Sequence, residues 1–102
     1  MDKKLLMIVV NRGFAEAVVE ETRLHGATGA TVLNGRGSAG IGERFMGMEI
    51  TPEKEVILII TDSKIASLVH KKVDEFFTAN LAAGGLSFVL PVGHMTGKEG
   101  KE

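Results

Sequence analysis

Two unbroken apolar runs constrain this chain more than any other feature: Leu5-Leu6-Met7-Ile8-Val9-Val10 near its start, and Val56-Ile57-Leu58-Ile59-Ile60 just past its middle. Both are short and rich in β-branched residues. Turn or capping residues close them, Asn11-Arg12-Gly13 after the first and Thr61-Asp62-Ser63 after the second, so each reads as a buried strand. The period then changes. Phe14, Val18, Thr22 and His25 fall on one helical stripe with Glu16, Glu20 and Arg23 off it, and Gly26 supplies the stop. Ile65, Val69, Val73 and Phe76 or Phe77 form a second stripe, which leaves Lys64, Lys71, Lys72, Asp74 and Glu75 for water. Each helix leads into a shorter strand: Ala30-Thr31-Val32-Leu33-Asn34 after the first, and Ser87-Phe88-Val89-Leu90-Pro91-Val92 after the small-residue connector from Ala79 to Gly85. Pro91 cannot donate to a ladder, which places that last strand at an edge.

Strand-helix-strand, repeated once, describes a split βαβ pair: an α+β, ferredoxin-like βαββαβ sandwich whose four antiparallel strands carry both helices on one face. Strands one and three are then central. Neither alternates, so both are apolar on two faces, yet the helices cover only one. A second copy of the chain is the simplest cover for the other face, because soluble monomers rarely expose so large an apolar patch. The chain reads as one domain over 1–102, with a long flexible loop over 35–51 and a flexible polar tail over 93–102.

Composition narrows the function. The 102 residues suffice for a single core, and 44% apolar with 25% charged residues is ordinary for a globular protein. Cysteine is absent, which removes disulfides, thiolate nucleophiles and thiolate metal sites. A formal charge of −1, with no Trp or Tyr, offers neither a basic field nor a stacking platform for nucleic acid. No apolar run approaches the roughly 20 residues of a membrane helix, and the start lacks a signal peptide's cleavage region, so the expected location is the cytoplasm.

Gly35-Arg36-Gly37-Ser38-Ala39-Gly40 spells the dinucleotide fingerprint GxGxxG. That motif needs a helix to open at its third glycine, and Gly42, Gly47 and Pro52 interrupt the segment where the helix would run. Two readings remain: a mobile loop, or a nest of glycine amides that takes an anion with Arg36 beside it. Ala83-Gly84-Gly85 reads either as a plain turn into the last strand or as a second phosphate cradle. His25, His70 and His94 have no metal-ligand spacing and no nearby carboxylate pattern, and no metal site is predicted. Ser38, Ser63, Ser67 and Ser87 lie in no nucleophile elbow and near no identifiable base, which argues against an enzyme.

Three segments together resemble the PII signal-transduction family: Gly26-Ala27-Thr28-Gly29-Ala30-Thr31-Val32, the Gly35-x-Gly37 step, and Phe88-Val89-Leu90-Pro91-Val92. Their order and spacing match over nearly the whole chain. The resemblance implies a homotrimer with an adenine nucleotide, ADP, AMP or ATP, in the clefts between subunits. It also implies a long loop that regulates a target protein, such as a membrane transporter or an enzyme. Carried over by residue, Gly29, Ala30 and Thr31 line the adenosine side, Gly35, Arg36 and Gly37 form the base of the long loop, and Ala83, Gly84 and Gly85 meet the phosphates.

The chain departs from the family pattern at several of these places. Leu86 replaces the basic residue after the glycine turn, the aspartate of that turn is gone, and the C-terminal arginine pair gives way to His94, Lys98 and Lys101. Ala39 stands for the glutamine that helps hold Mg²⁺ and 2-oxoglutarate, and Phe45 for the tyrosine that some members uridylylate. The family's nitrogen-status chemistry is therefore expected to be weakened or replaced. A ferredoxin-like trimeric small-molecule or metal-binding module without a protein target is the alternative reading.

Overall fold

Leu6, Ile8 and Val10 point to one side of the first strand and are fully buried, while Leu5, Met7 and Val9 point to the other and are only partly buried. That alternation of burial in an unalternating sequence reflects a sheet covered on one face. The computed structural model describes residues 2–36, 44–45, 48–49 and 53–96, with the backbone alone at 36, 44–45 and 48–49. Its elements are β1 (Lys3–Asn11), α1 (Ala15–Leu24), β2 (Thr31–Arg36), β3 (Arg44–Phe45), β4 (Met48–Glu49), β5 (Glu53–Asp62), α2 (Ser63–Ala79), a 3₁₀ turn (Leu81–Ala83) and β6 (Leu86–Pro91). The main sheet runs β2-β5-β1-β6, all antiparallel, and β3 and β4 form a separate two-stranded ladder. This is the expected ferredoxin-like arrangement, with the two apolar runs central and the Pro91 strand at an edge.

The core lies between sheet and helices. Leu6, Ile8, Val10, Ile57 and Ile59 meet Val18 of α1 and Val69, Val73 and Phe77 of α2. Each of these side chains contributes about 1.5–3 kcal/mol on leaving water, which is why two helical stripes suffice to hold the layer. Phe77 takes the buried position, and Phe76 packs edge-on against its ring from a half-buried site.

Local chemistry ends the elements where expected. The Asp62 carboxylate accepts from the Ile65 amide at 2.9 Å and starts α2, while Gly26, at φ 111°, takes the chain out of α1. The start of α1 is held from a distance. Glu55 Oε1 on β5 accepts from the amides of Gly13 at 3.0 Å and Ala15 at 3.1 Å, so a strand carboxylate satisfies two helix-start donors.

Several boundaries differ from the sequence reading, beginning with β1, which runs Lys3–Asn11 and so outlasts its apolar run at both ends, and β2, which starts at Thr31 and not at Ala30. β2 continues through Gly35 and Arg36, which pair with Lys54 and Glu53, so these two residues belong to a strand and not to the long loop. β5 extends to Glu53 and Asp62 because β1 and β2 offer partners beyond its apolar segment. α2 runs through Ala79, and a 3₁₀ turn occupies the connector. β6 runs Leu86–Pro91, one residue earlier at each end than expected.

The second sheet face carries no helix. Leu33, Val56, Leu58, Ile60, Leu5, Met7, Val9, Leu86, Phe88 and Leu90 share it by register. Phe88 is 46% exposed and Leu86 59%, although both lie amid apolar neighbours. Among the described residues, no helix is long and apolar enough to cross a membrane.

Candidate functional site

β1 ends at Asn11, opposite Lys54 of β5, and Lys54 is in turn opposite Gly35 of β2. On the other side of β1, Leu86 opposite Val9 brings the Ala83-Gly84-Gly85 turn to the same end of the sheet. The helix-free face is therefore bordered at this end by a polar strip: Gly35 from the edge strand β2, Lys54 and Asn11 from the central strands β5 and β1, then the turn. Its two ends lie on opposite edges of the sheet, three strand spacings of about 4.8 Å apart.

Hydrogen bonds tie the strip together. Lys54 Nζ donates to Asn11 Oδ1 at 2.6 Å, and Asn11 Nδ2 donates to the Ala82 carbonyl at 3.0 Å. An open cleft of about 640 Å³ lies over the β2 half, lined by Arg12, Asn34, Gly35, Glu53, Lys54 and Glu55. Four of these residues are charged, but not all of that charge is available to a ligand. Arg12 is paired with Glu53, and Glu55 is committed to the amides at the start of α1. Lys54 is held by a neutral amide, so its charge remains available to an anion in the cleft.

The glycine turn is shaped by packing. Gly84 sits at φ 55°, and a Cβ there would stand 2.5 Å from Asn11 Nδ2. A Cβ on Gly85 would stand 2.1 Å from the Phe77 ring. Both glycines are required by the fold, which gives the plain-turn reading its physical basis. Gly84 is exposed beside the strip and Gly85 half-buried, whereas Ala83 is fully buried in the core, and the Ala83 and Gly84 amides are already spent on the Asn80 and Leu81 carbonyls.

The sequence-predicted residues fall into three places. Gly35 and Arg36 lie at the cleft end of β2, and Ala83, Gly84 and Gly85 lie across the strip from them. Gly29, Ala30 and Thr31 are at the opposite end of β2, where Gly29 and Ala30 border a small depression against Val19, Thr22 and Arg23 of α1. Thr31 and Gly35 are four residues apart in an extended strand, roughly 13 Å. Gly37, Ala39, Lys98, Lys101 and the Phe45 side chain lie outside the described residues, as does most of the 35–51 loop.

Sequence reasoning missed Asn11, Arg12 and Lys54. Two side chains, His25 and Ser87, have partners that the sequence reading leaves out, a carboxylate for the histidine and a base for the serine. His25 Nε2 is 3.2 Å from Glu21 Oε2, one helical turn back, and Ser87 Oγ is 2.8 Å from His70 Nδ1. The first is an i,i+4 pair along α1; the second ties α2 to the edge strand β6. Among the described residues, no group of three or more His, Asp or Glu converges as a metal site would require.

No family model and no curated protein matches the chain. Solved structures do. A PII-like signalling protein of Thermus thermophilus superposes with a TM-score of 0.67 at 24% identity, over 90% of this chain and 91% of that one. The chain has the fold of the PII-like signalling proteins. CPII of Thiomonas intermedia, a nitrogen regulatory PII-like protein solved with ADP, AMP and bicarbonate, gives 0.62 at 21% identity over 94% and 98% of the two chains. A Bacillus cereus protein related to NIF3 gives 0.68 at 18% identity, but this chain spans only 26% of its length. The PII-like fold thus occurs both as nearly a whole chain and as part of a larger one.

Proposed function

We propose that the chain is a PII-like regulator that assembles as a trimer, binds an adenine nucleotide between subunits and controls a target transporter or enzyme through the loop between β2 and β5. The observation that carries this reading is the separation of its half-sites. The strip of Gly35, Lys54, Asn11 and the exposed Gly84 of the turn is suited to phosphates: it includes one cation, Lys54, whose charge no acidic group among the described residues pairs with. The Gly29–Thr31 segment lies roughly 13 Å away at the other end of β2, so a neighbouring copy supplies it more readily than the same chain.

The helix-free face supports the assembly. Its apolar side chains, with Phe88 and Leu86 half-exposed or more, need cover that a second and third copy provide. CPII, solved with ADP, AMP and bicarbonate, supports the choice of an adenine nucleotide as effector. On this reading the chain acts by binding and not by catalysis.

Native mass spectrometry combined with calorimetry tests the proposal. A trimer that takes one adenine nucleotide per subunit supports it. A nucleotide-free trimer whose cellular partners do not change when 37–52 is deleted would favour the ligand-binding module without a target. A stable monomer would refute it.

A further inference from the structure

Asn11 touches both halves of the polar strip with one side chain. Its Oδ1 accepts from Lys54 Nζ at 2.6 Å, and its Nδ2 donates to the Ala82 carbonyl at 3.0 Å, so each end of the amide meets the group of matching polarity. No other assignment of the amide serves, because reversing it would set Oδ1 against a carbonyl and Nδ2 against an ammonium. Ala82 contributes that carbonyl from the peptide unit whose N–H belongs to Ala83, and that N–H closes the turn on the Asn80 carbonyl at 3.0 Å. Gly84 comes next at φ 55°, closed on the Leu81 carbonyl at 3.1 Å, and has room for no Cβ on the side facing Asn11. Lys54 is 43 residues from Asn11 and lines the cleft; the turn is 71 residues from Asn11 on the far edge.

We propose that Asn11 is a positioning residue that couples the state of Lys54 in the cleft to the order of the Ala82–Gly84 turn across the sheet. An ammonium on Oδ1 draws electron density from the amide and strengthens donation by Nδ2 to Ala82, so the two bonds reinforce each other. When an anion in the cleft draws Lys54 away, that reinforcement is lost and the turn loosens. When Lys54 stays on Asn11, the turn is held with its amides fixed. The coupling deepens the reading of the strip as a phosphate site, and it is also a property of the ligand-free protein.

Hydrogen exchange read by NMR on the full chain, without ligand, tests it at the Ala83 and Gly84 amides. Asn11→Ala should accelerate exchange at both by about five-fold, the effect of losing one ordinary hydrogen bond. Lys54→Met removes the charge and touches no turn atom, yet it should accelerate the same two amides by about two-fold. In the Asn11→Ala background, Lys54→Met should add nothing there. If Asn11→Ala does not fold, Asn11→Leu, of similar volume, takes its place. Unchanged exchange in Lys54→Met, or an equal acceleration with and without Asn11, overturns the coupling. Neither result bears on nucleotide binding, which calorimetry of the unmodified protein decides separately.

Discussion

Gly85 lies directly against the ring of Phe77: a Cβ on the glycine would stand 2.1 Å from Cζ and 2.2 Å from Cε1. Phe77 closes the core beneath α2, so its ring has little freedom to retreat. Gly85→Ala is expected to destabilise the fold by about 1–3 kcal/mol, the usual cost of overpacking a filled site. Denaturant unfolding measures it. Phe77→Leu, which removes the ring atoms at fault, should make the same Gly85→Ala change cost less than it does beside Phe77, and equal costs in the two backgrounds would show that the ring is not the obstacle.

Glu55 holds the start of α1 from a different strand, through the amides of Gly13 and Ala15. The carboxylate contributes both acceptance and a favourable charge at the positive end of the helix. Glu55→Ala is expected to cost about 1–3 kcal/mol, and Glu55→Gln less, since the amide oxygen still accepts. Circular dichroism and urea midpoints give the order of the three proteins; equal midpoints would remove Glu55 from the account of how α1 begins.

Much of this architecture is legible in the sequence because the two apolar runs lack alternation, which marks central strands, and because Asp62, Gly26 and Pro91 punctuate locally. The polar strip is not legible in that way. Asn11 looks like the residue after a strand and Lys54 like one charge in Glu53-Lys54-Glu55; only the register that sets Met7 opposite Leu58 carries outward to set Asn11 opposite Lys54. Gly35 and Arg36 read as loop because Asn34-Gly35 is a common stop, and the partners that keep them in β2 are Lys54 and Glu53, far along the chain. Gly84 and Gly85 stand out as glycines, but the reason for them, Asn11 and Phe77, is tertiary.

Phe88 is on the helix-free face opposite Met7, at 46% exposure, and is absent from the buried core. If copies of the chain cover that face, Phe88→Lys should leave the helical content intact and break the assembly, because a charge without a partner is costly to bury. Met7→Lys and Leu58→Lys, placed centrally on the same face, should act at least as strongly. Light scattering at micromolar concentration checks this: a trimer for the unmodified chain and a smaller species for each variant is expected, and an unchanged trimer in all three variants would remove this face from the interface.

Charge accounting in the cleft yields a ranking of ligands and of variants. Arg12 is already paired with Glu53, whereas Lys54 rests on the neutral amide of Asn11, so Lys54→Met should weaken nucleotide binding by ten-fold or more and Arg12→Ala by much less. The larger figure derives from a charge-assisted bond worth about 1.5–3 kcal/mol. Leu86, exposed on the strip's β6 side, stands where the PII resemblance implies a basic residue facing the phosphates of the proposed site. With that cation missing, a third phosphate adds charge without adding a partner, and AMP and ADP are expected to compete well with ATP. Calorimetric titration of the three nucleotides, with and without Mg²⁺, is the measurement. Tight ATP binding that requires Mg²⁺ in the unmodified protein would mean that the outer phosphates are held by residues other than those of the strip.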